Sequence, residues 1–550
     1  MPRSPYITAV LLFTAIAHLI VMTWSWLGSP IAMPPAPLGA GDKLDCVSYT
    51  PYQAADSPFT EGKWTVAAER IEADVARLLP ITSCLRTYSS AGHGIAEVAP
   101  AAGRKGMSVM QGIWISRDPI ANAAEVQAAV SIGKTNPGTV TALIVGNEVL
   151  LRQEQTAAGL IGIIKDVKAL SSIPVTYADV WEFWLKNPSV ADAVDFMTIH
   201  ILPFWEDEPV SAEASAAHVT HIYEKMTAAF PGKRIIIGEV GWPSAGRMRE
   251  VARPSPANQA RVLHDVIATT RAKGITANII EAFDQPWKRH LEGTVGGHWG
   301  LFDATTRTPK FAFGEPVSNH PLWHWQAALG GLLAAVTFGL SAFVAGHRKA
   351  GSAPLSARDW TGIGIITAIG SVLAGLSIET LAAGAFGSAG TARAVMLGTL
   401  AVLAPLTAIS IAAGASLPGL AQLIGPKDLR VRCPLTLGLG AFLILTVVSA
   451  IQIGLSVAFQ PRYWEFPFAP ISAAAAAITV LSLQNARPGK FPGLWTQVPE
   501  KVAALVLLAC TLVIAINEGF ENWQALWLCA GFSALALGLC LMRGAPAPER

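Results

Sequence analysis

Charge is scarce in this chain: Asp, Glu, Lys and Arg make up 14% of its 550 residues, against about 25% in an ordinary soluble protein. With 52% apolar residues and a mean hydropathy of +0.42, that deficit excludes a disordered chain and argues against a nucleic-acid binder. Cysteine is sparse too, six in all, and no His/Cys/Asp group has metal-ligand spacing, so no metal site is written into the sequence. A glycine-rich phosphate loop is missing, which removes the signature of a nucleotide-binding open sheet. No basic amphipathic helix is present either.

The charges that do exist are unevenly placed. From His320 onward there are 13 Lys+Arg and 8 Asp+Glu, whereas residues 1–319 hold 27 and 30. The carboxyl-terminal part is lipid-like in composition. A bilayer-spanning helix needs about 20 apolar residues, and such runs occur at 8–27, 323–346, 360–386, 394–417, 435–459, 467–484, 502–516 and 523–542. The first reads as a signal anchor, with a cleaved signal peptide as its alternative. Arg348, Lys349 and Arg358 share one loop, Lys427, Arg430 and Arg432 lie two spans later, and Arg487, Lys490 and Lys501 two spans after that. Arg543 and Arg550 follow in the tail. Because Lys and Arg collect on the cytoplasmic side, this alternation puts the carboxyl terminus in the cytoplasm and residues 28–322 across the membrane. The expected location is a bacterial inner membrane with a periplasmic domain. Glu379 is the carboxylate expected at membrane depth, either functional or paired with Arg393.

Residues 28–42 are rich in Pro, Gly and Ala and read as a linker. Between residues 43 and 318, short β-rich runs alternate with helical stretches, at 44–49, 84–88, 108–115, 140–146, 175–180, 194–200, 234–240 and 277–283. Eight such repeats over about 270 residues predict a (β/α)8 TIM barrel, an α/β fold. An all-α transmembrane domain over 319–550 follows it, and residues 1–27 form the amino-terminal anchor. Cys46 and Cys84 fall on the first two strands, where a disulfide is one alternative. Cys433, Cys510, Cys529 and Cys540 lie in or beside membrane runs and pass as small apolar residues.

In such barrels chemistry gathers at the carboxyl ends of the strands. Those positions hold Tyr49 and Tyr52, Arg86 and Tyr88, Trp114, Asn147 and Glu148, Tyr177 and Asp179, His200, Phe204 and Trp205, Glu239 and Trp242, and Glu281, Asp284, Trp287 and Lys288. Aromatic faces interleaved with carboxylates describe a sugar cleft. Glu148 in LIVGNEV and Glu239 in IIIGEVGWPS each end a buried apolar strand, where an ionised group is costly unless it faces a polar site. Strands four and seven lie on opposite sides of a barrel mouth, so the two carboxyls can converge on one sugar ring. Glycoside cleavage uses such a pair, and a separation near 5 Å gives a covalent intermediate and retention.

GNE at the fourth strand, GEVGWPS at the seventh, EAFDQPWK at the eighth and HWGLFD after it resemble the motifs of glycoside hydrolase family 17. The resemblance spans about residues 44–313. It implies a retaining barrel acting on β-1,3-glucan, with Glu148 as acid/base and Glu239 as nucleophile. It further implies that Asn147 bonds the sugar 2-hydroxyl, that Tyr177 orients the nucleophile, and that Glu281 and Lys288 form an ionic network. Phe204, Trp205, Trp287 and Trp299 would supply stacking platforms, and Tyr49, Arg86 and Tyr88 would contact substrate. No cofactor is called for. The architecture as a whole also resembles bacterial membrane proteins assigned as β-(1,6)-glucan synthases in cyclic β-(1,3),(1,6)-glucan production. That likeness favours transglycosylation over hydrolysis and implies a β-glucan substrate, a lipid bilayer and a glucan synthase partner. Hydrolysis remains the alternative, and a glucan sensor or transport component the non-enzymatic one. A processive synthase is disfavoured, since the longest cytoplasmic loop, at about 18 residues, is too short for a nucleotide-sugar site.

Overall fold

The computed structural model describes residues 4–60, 64–349, 352–424, 434–485 and 497–542. The chain divides into two units, Ile31–Ala245 with Val251–Val317, and Met1–Pro30 with Gly246–Glu250 and Ser318–Arg550.

After an apolar helix α1 (Pro5–Leu27), eight parallel strands close a barrel in sequence order. They are β1 Cys46–Ser48, β2 Cys84–Arg86, β3 Ser108–Ile113, β4 Val140–Asn147, β5 Val175–Val180, β6 Met197–His200, β7 Ile235–Val240 and β8 Ala277–Ile279. Every expected run holds a strand, most of them shorter than the run. The intervening helices are α2 Ala68–Leu78, α3 Val98–Arg104, α4 Pro119–Thr135, α5 Ala157–Leu170, α6 Trp181–Lys186, α7 Ser189–Ala193, α8 Ser215–Ala229 and α9 Pro256–Ala272. Several start where the sequence supplies a cap. Asp118 accepts the Ile120 and Ala121 amides and Ser255 accepts that of Asn258, each followed by a proline that has no amide to satisfy. Thr156 caps α5 in the same way, accepting the Gly159 amide.

Strand side chains alternate between faces. Val47, Leu85, Val109, Leu143, Ile199 and Ile237 share one cluster with Ile71, Val75, Leu160, Ile164 and Val262 of the surrounding helices. Their alternates Cys46, Cys84, Met110, Ala142, Ile144, Ala178 and Ile236 form a separate small cluster, the filling of the lumen. Each fully buried Val, Leu or Ile contributes about 1.5–3 kcal/mol. Cys46 and Cys84, on adjacent strands with Cα atoms 4.4 Å apart, are disulfide-bonded.

A short helix α10 (Arg289–Glu292) completes the barrel unit, and the second unit holds α11 Trp323–Gly346, α12 Ala357–Gly384, α13 Gly387–Leu406, α14 Ile409–Ala413, α15 Leu420–Ile424, α16 Pro434–Phe459, α17 Phe468–Asn485, α18 Val498–Glu518 and α19 Trp523–Leu541. Among the described residues eight helices, α1 and seven of these, are long and apolar enough to cross a membrane. The expected run at 394–417 is the one that breaks. α13 ends just after Pro405, which has no amide to continue the ladder, and α14 stops at Gly414 in the left-handed region, φ 68°. Small residues bring helices close, as at Gly370, where an added Cβ would meet Pro405 Cδ at 2.8 Å.

Glu379 accepts from His320 Nδ1 at 2.8 Å and Gln326 Nε2 at 3.1 Å, while the Arg393 guanidinium lies 4.9 Å over the Trp464 ring. Glu379 thus pairs with His320 and Gln326 and not with Arg393. Of the loop charges, Lys427, Arg430, Arg432, Arg487, Lys490, Arg543 and Arg550 lie outside the described residues, as does Cys433.

Candidate active site

Both candidate carboxylates sit where the ladder is irregular. The β4–β5 register shifts between Ile144 and Asn147, and the β6–β7 register between Ile199 and His200. Such bulges re-aim the side chains that follow. On β4, Gly146 has φ 89° and Glu148 has φ 53°, a left-handed conformation a glutamate adopts only when its surroundings enforce it. The Glu148 amide is held by Ala178 O at 2.8 Å.

Glu239, at the end of β7, is 4% exposed. Its Oε1 accepts from Arg86 Nη1 and from the Tyr88 hydroxyl at 2.8 Å. Tyr88 also reaches Ser48 Oγ at 3.0 Å, and the Arg86 guanidinium lies 4.1 Å over the Tyr88 ring. The second arm of Arg86 donates to Asn147 Oδ1, tying the seventh strand to the fourth. Burial pushes the Glu239 carboxyl up, but His200 in its protonated form, Arg86 and Lys288 overcome it and hold it down at about 2. Glu239 is therefore ionised throughout the physiological range. Tyr88, raised well above its ordinary value by burial and by Glu239, stays a hydroxyl donor.

Glu148, with 21% of its side chain exposed, pairs through Oε1 with His200 Nδ1 at 2.9 Å. His200 ends β6, is fully buried, and has the same nitrogen 3.7 Å from Glu239 Oε2. One oxygen of Glu148, one of Glu239 and a ring nitrogen of His200 lie within 4.8 Å of one another. The two carboxyls can therefore reach one group bound between them. Three such donors would also suit a metal by spacing, yet Arg86 occupies Glu239 and Lys288 adds a second positive charge. A cation placed there would meet two others, so the donor set fits ion pairing better than metal binding.

Lys288 donates to Glu281 Oε2 at 2.9 Å, with Glu281 1% exposed. Burial pushes Glu281 up to about 7 even beside that ammonium, and pushes Glu292 to the same range, aided by the charges of Glu148 and Glu239. Sequence reading missed Glu292; it stands on the short α10, one turn beyond Lys288, and no strand-end pattern marks it. In the sequence His200 is only one of the strand-end residues, because its reach to two carboxylates from other strands has no linear signature. Ser48, bonded to both Tyr88 and Asn278 Nδ2, was missed for the same reason.

Several expected contacts are corrected by the geometry. Tyr177 does not orient the nucleophile. Its hydroxyl donates to Asp179 and accepts the Leu150 amide at 3.0 Å, so it clamps the segment just after Glu148. Tyr88 and Arg86 hold Glu239 instead. Asp179 is pushed up to about 6, by burial first and then by the Glu148 charge. Tyr49, 1% exposed, turns its hydroxyl to Asp74 at 3.1 Å, a carboxylate also paired with Arg307, and is part of the core. Phe204 is fully buried between Trp205, Trp242 and Trp299, with ring centres 5.0, 5.8 and 6.1 Å away. Trp299, 2% exposed, backs the half-buried Trp205 in a near-parallel stack. Only Trp205 and Trp287 of the four aromatics offer ring surface. Trp287 is edged by the exposed Phe59 and by Tyr52, while Tyr52 and His93 both contact Trp64.

Residues 46–300 match the family model described as the BtgE/BtgC glycoside hydrolase domain. The chain is 27% identical over 256 residues to the glucan 1,3-beta-glucosidase of Saccharomyces cerevisiae, covering 42% of this chain and 82% of that one. To the protein of the same name from Candida albicans it is 28% identical over 263 residues, covering 44% and 85%. Among solved structures it is similar to an active-site mutant of Rhizomucor miehei beta-1,3-glucanosyltransferase in complex with laminaritriose, at 28% identity and a TM-score of 0.44, covering 50% and 98%. Residues 46–300 are thus similar to a glycoside hydrolase domain, and a multi-helix region with candidate membrane-spanning helices follows them.

Proposed function

We propose that the protein is a membrane-held, retaining β-1,3-glucan hydrolase. The observation that carries this reading is the pair of carboxyls with unlike surroundings: Glu239 buried and held ionised by Arg86, and Glu148 within reach of it but partly open. The named fungal relatives, glucan 1,3-beta-glucosidases, support the β-1,3 substrate and favour hydrolysis. The Lys and Arg distribution of the loops supports a barrel on the extracytoplasmic side.

Glu239 attacks the anomeric carbon while Glu148 gives its proton to the departing glycosidic oxygen, which keeps the electron pair of the broken bond. Water then gives a proton to Glu148 as its oxygen displaces Glu239, restoring both groups with net retention. Arg86 and Tyr88 keep Glu239 in place, and Trp205 and Trp287 provide faces for sugar rings. A sugar hydroxyl in place of the water would make the same residues a glucanosyltransferase.

The full chain in detergent, given a laminari-oligosaccharide, is expected to yield shorter products whose newly formed reducing ends are β when first seen by NMR. Glu239→Gln should lower the rate by about a thousandfold or more. First products in the α form, or undiminished activity of Glu239→Gln, would overturn the mechanism. Longer, branched or cyclic products would replace hydrolysis by transfer while leaving the roles of the residues unchanged.

A further inference from the structure

His200 has a nitrogen that points at both reactive carboxyls and another that points at nothing. Nδ1 lies 2.9 Å from Glu148 Oε1. Nε2 is buried without a hydrogen-bond partner, packed against Gly238 of β7, where an added Cβ would come within 3.0 Å of His200 Cδ2 and 3.3 Å of Nε2. An N–H at Nε2 would be an orphaned buried donor, whereas an N–H at Nδ1 has a carboxylate to meet. Of the two neutral tautomers, the geometry therefore fixes the one with hydrogen on Nδ1, donating to Glu148 Oε1. Arg86 and Tyr88 already occupy Glu239 Oε1, and Glu239 Oε2 lies 3.7 Å from Nδ1, so Glu148 Oε1 is the acceptor within hydrogen-bond reach.

We infer that His200 is a positioning residue that reserves Glu148 Oε1 as an acceptor and so assigns the transferable proton to Oε2. The inference rests on the reading of Glu148 as acid/base. In the first step the Oε2 proton passes to the glycosidic oxygen as the C1–O bond breaks and the Glu239–C1 bond forms. In the second a water proton returns to Oε2 as the water oxygen bonds to C1 and Glu239 leaves. The Nδ1 proton stays on His200 throughout, stabilising Glu148 in its ionised phase and fixing the orientation of its acid phase. Without it the carboxyl would be free to rotate and to carry its proton on the oxygen turned away from the bond.

The test compares two substrates in the full chain: a laminari-oligosaccharide, whose departing sugar must be protonated, and a 2,4-dinitrophenyl β-laminaribioside, whose leaving group needs no acid. His200→Ala and His200→Gln are expected to lose about a hundredfold in kcat/KM on the oligosaccharide. Their loss on the dinitrophenyl substrate should be at least about tenfold smaller, which also shows that the barrel has folded. His200→Asn, whose Nδ2 can stand where Nδ1 stood, should recover most of the oligosaccharide rate, and Gln, whose donor stands at the Nε2 position, should not. Equal losses on both substrates, or Asn no better than Gln, would make His200 a structural residue and overturn the inference. The underlying reading is tested separately by Glu148→Gln: if that variant shows no dependence on leaving group, the acid/base assignment fails and the role of His200 falls with it.

Discussion

The barrel and the helical unit bury most of their polar groups by different means. In the barrel, Arg86–Glu239, Glu281–Lys288, Asp284–Lys310 and Asp74–Arg307 are ion pairs almost withdrawn from water, and most join partners far apart in sequence. In the helices, buried Thr337, Thr367, Ser377 and Thr446 each donate to the carbonyl four residues earlier in the same helix. A hydroxyl satisfied by its own helix fixes nothing but itself. A buried ion pair between strand ends fixes one strand end against another, which is what two converging carboxyls require. Carboxylates in the helical unit depart from this economy: Glu379 takes His320 and Gln326, Glu500 accepts the Ala421 amide, and Glu518 takes Asn522 and forms a buried ion pair with Arg247.

The largest break in the contrast is expected from Arg86→Met. It leaves Glu239 buried without its main counter-charge and Asn147 without its donor, at a cost of about 3–5 kcal/mol. The sign of the pH effect follows from the direction of the shift. The Glu239 carboxyl is held at about 2 in the fold, below the roughly 4.3 of an unfolded glutamate. Its ionisation therefore stabilises the fold fully above about pH 4.3, and that contribution is lost as the pH falls toward 2. Arg86→Met removes one of the charges that lower Glu239, so the acidic limb of kcat/KM should move to higher pH. Titrating activity between pH 3 and 7 checks this; an unmoved limb would mean that His200 and Lys288 suffice.

Next in size is the covalent cross-link. Cys46 and Cys84 close a loop 38 residues apart in sequence, worth about 2–4 kcal/mol. The double variant Cys46→Ser, Cys84→Ser, or reductant added to the natural protein, should lower the thermal midpoint of the barrel by about 5–15 °C. Among the described residues the helical unit holds only free cysteines, Cys510, Cys529 and Cys540, so its transition should not respond to reductant. A shared shift in both transitions would show that the two units unfold as one.

Local pattern made the strand and helix runs legible, because alternation and apolar length are recorded residue by residue. Glu148 and Glu239 were legible because each puts a carboxyl at the end of an apolar strand. What stayed hidden depends on distance through space. Tyr49 and Tyr177 sit at strand ends like Tyr88, yet only Tyr88 reaches Glu239, because each hydroxyl goes wherever the barrel twist and a local bulge aim it. Phe204 and Trp205 are neighbours with the same chemistry, and burial alone separates packing from platform. His200 and Glu292 needed the closed barrel before their neighbours could be named. Pro405 was visible in its apolar run, but a run of hydrophobicity reports membrane affinity and not helix continuity.

The smallest effect is the sharpest test of the contrast, because it compares like with like. Thr367 and Thr176 are both fully buried threonines. Thr367 donates to Ile363 O at 2.7 Å within α12, and that carbonyl also has the helix ladder, so Thr367→Val should change stability by less than about 1 kcal/mol. Thr176 donates to Phe196 O at 2.7 Å and lies 2.9 Å from Thr198 Oγ1. Thr176→Val strips a partner from two buried groups on another segment and should cost about 1–3 kcal/mol. Denaturation midpoints of the two variants, read on the transition of the unit that each belongs to, decide the matter. Equal costs would mean that buried hydroxyls do the same work in both regions and that the difference between them rests on the ion pairs alone.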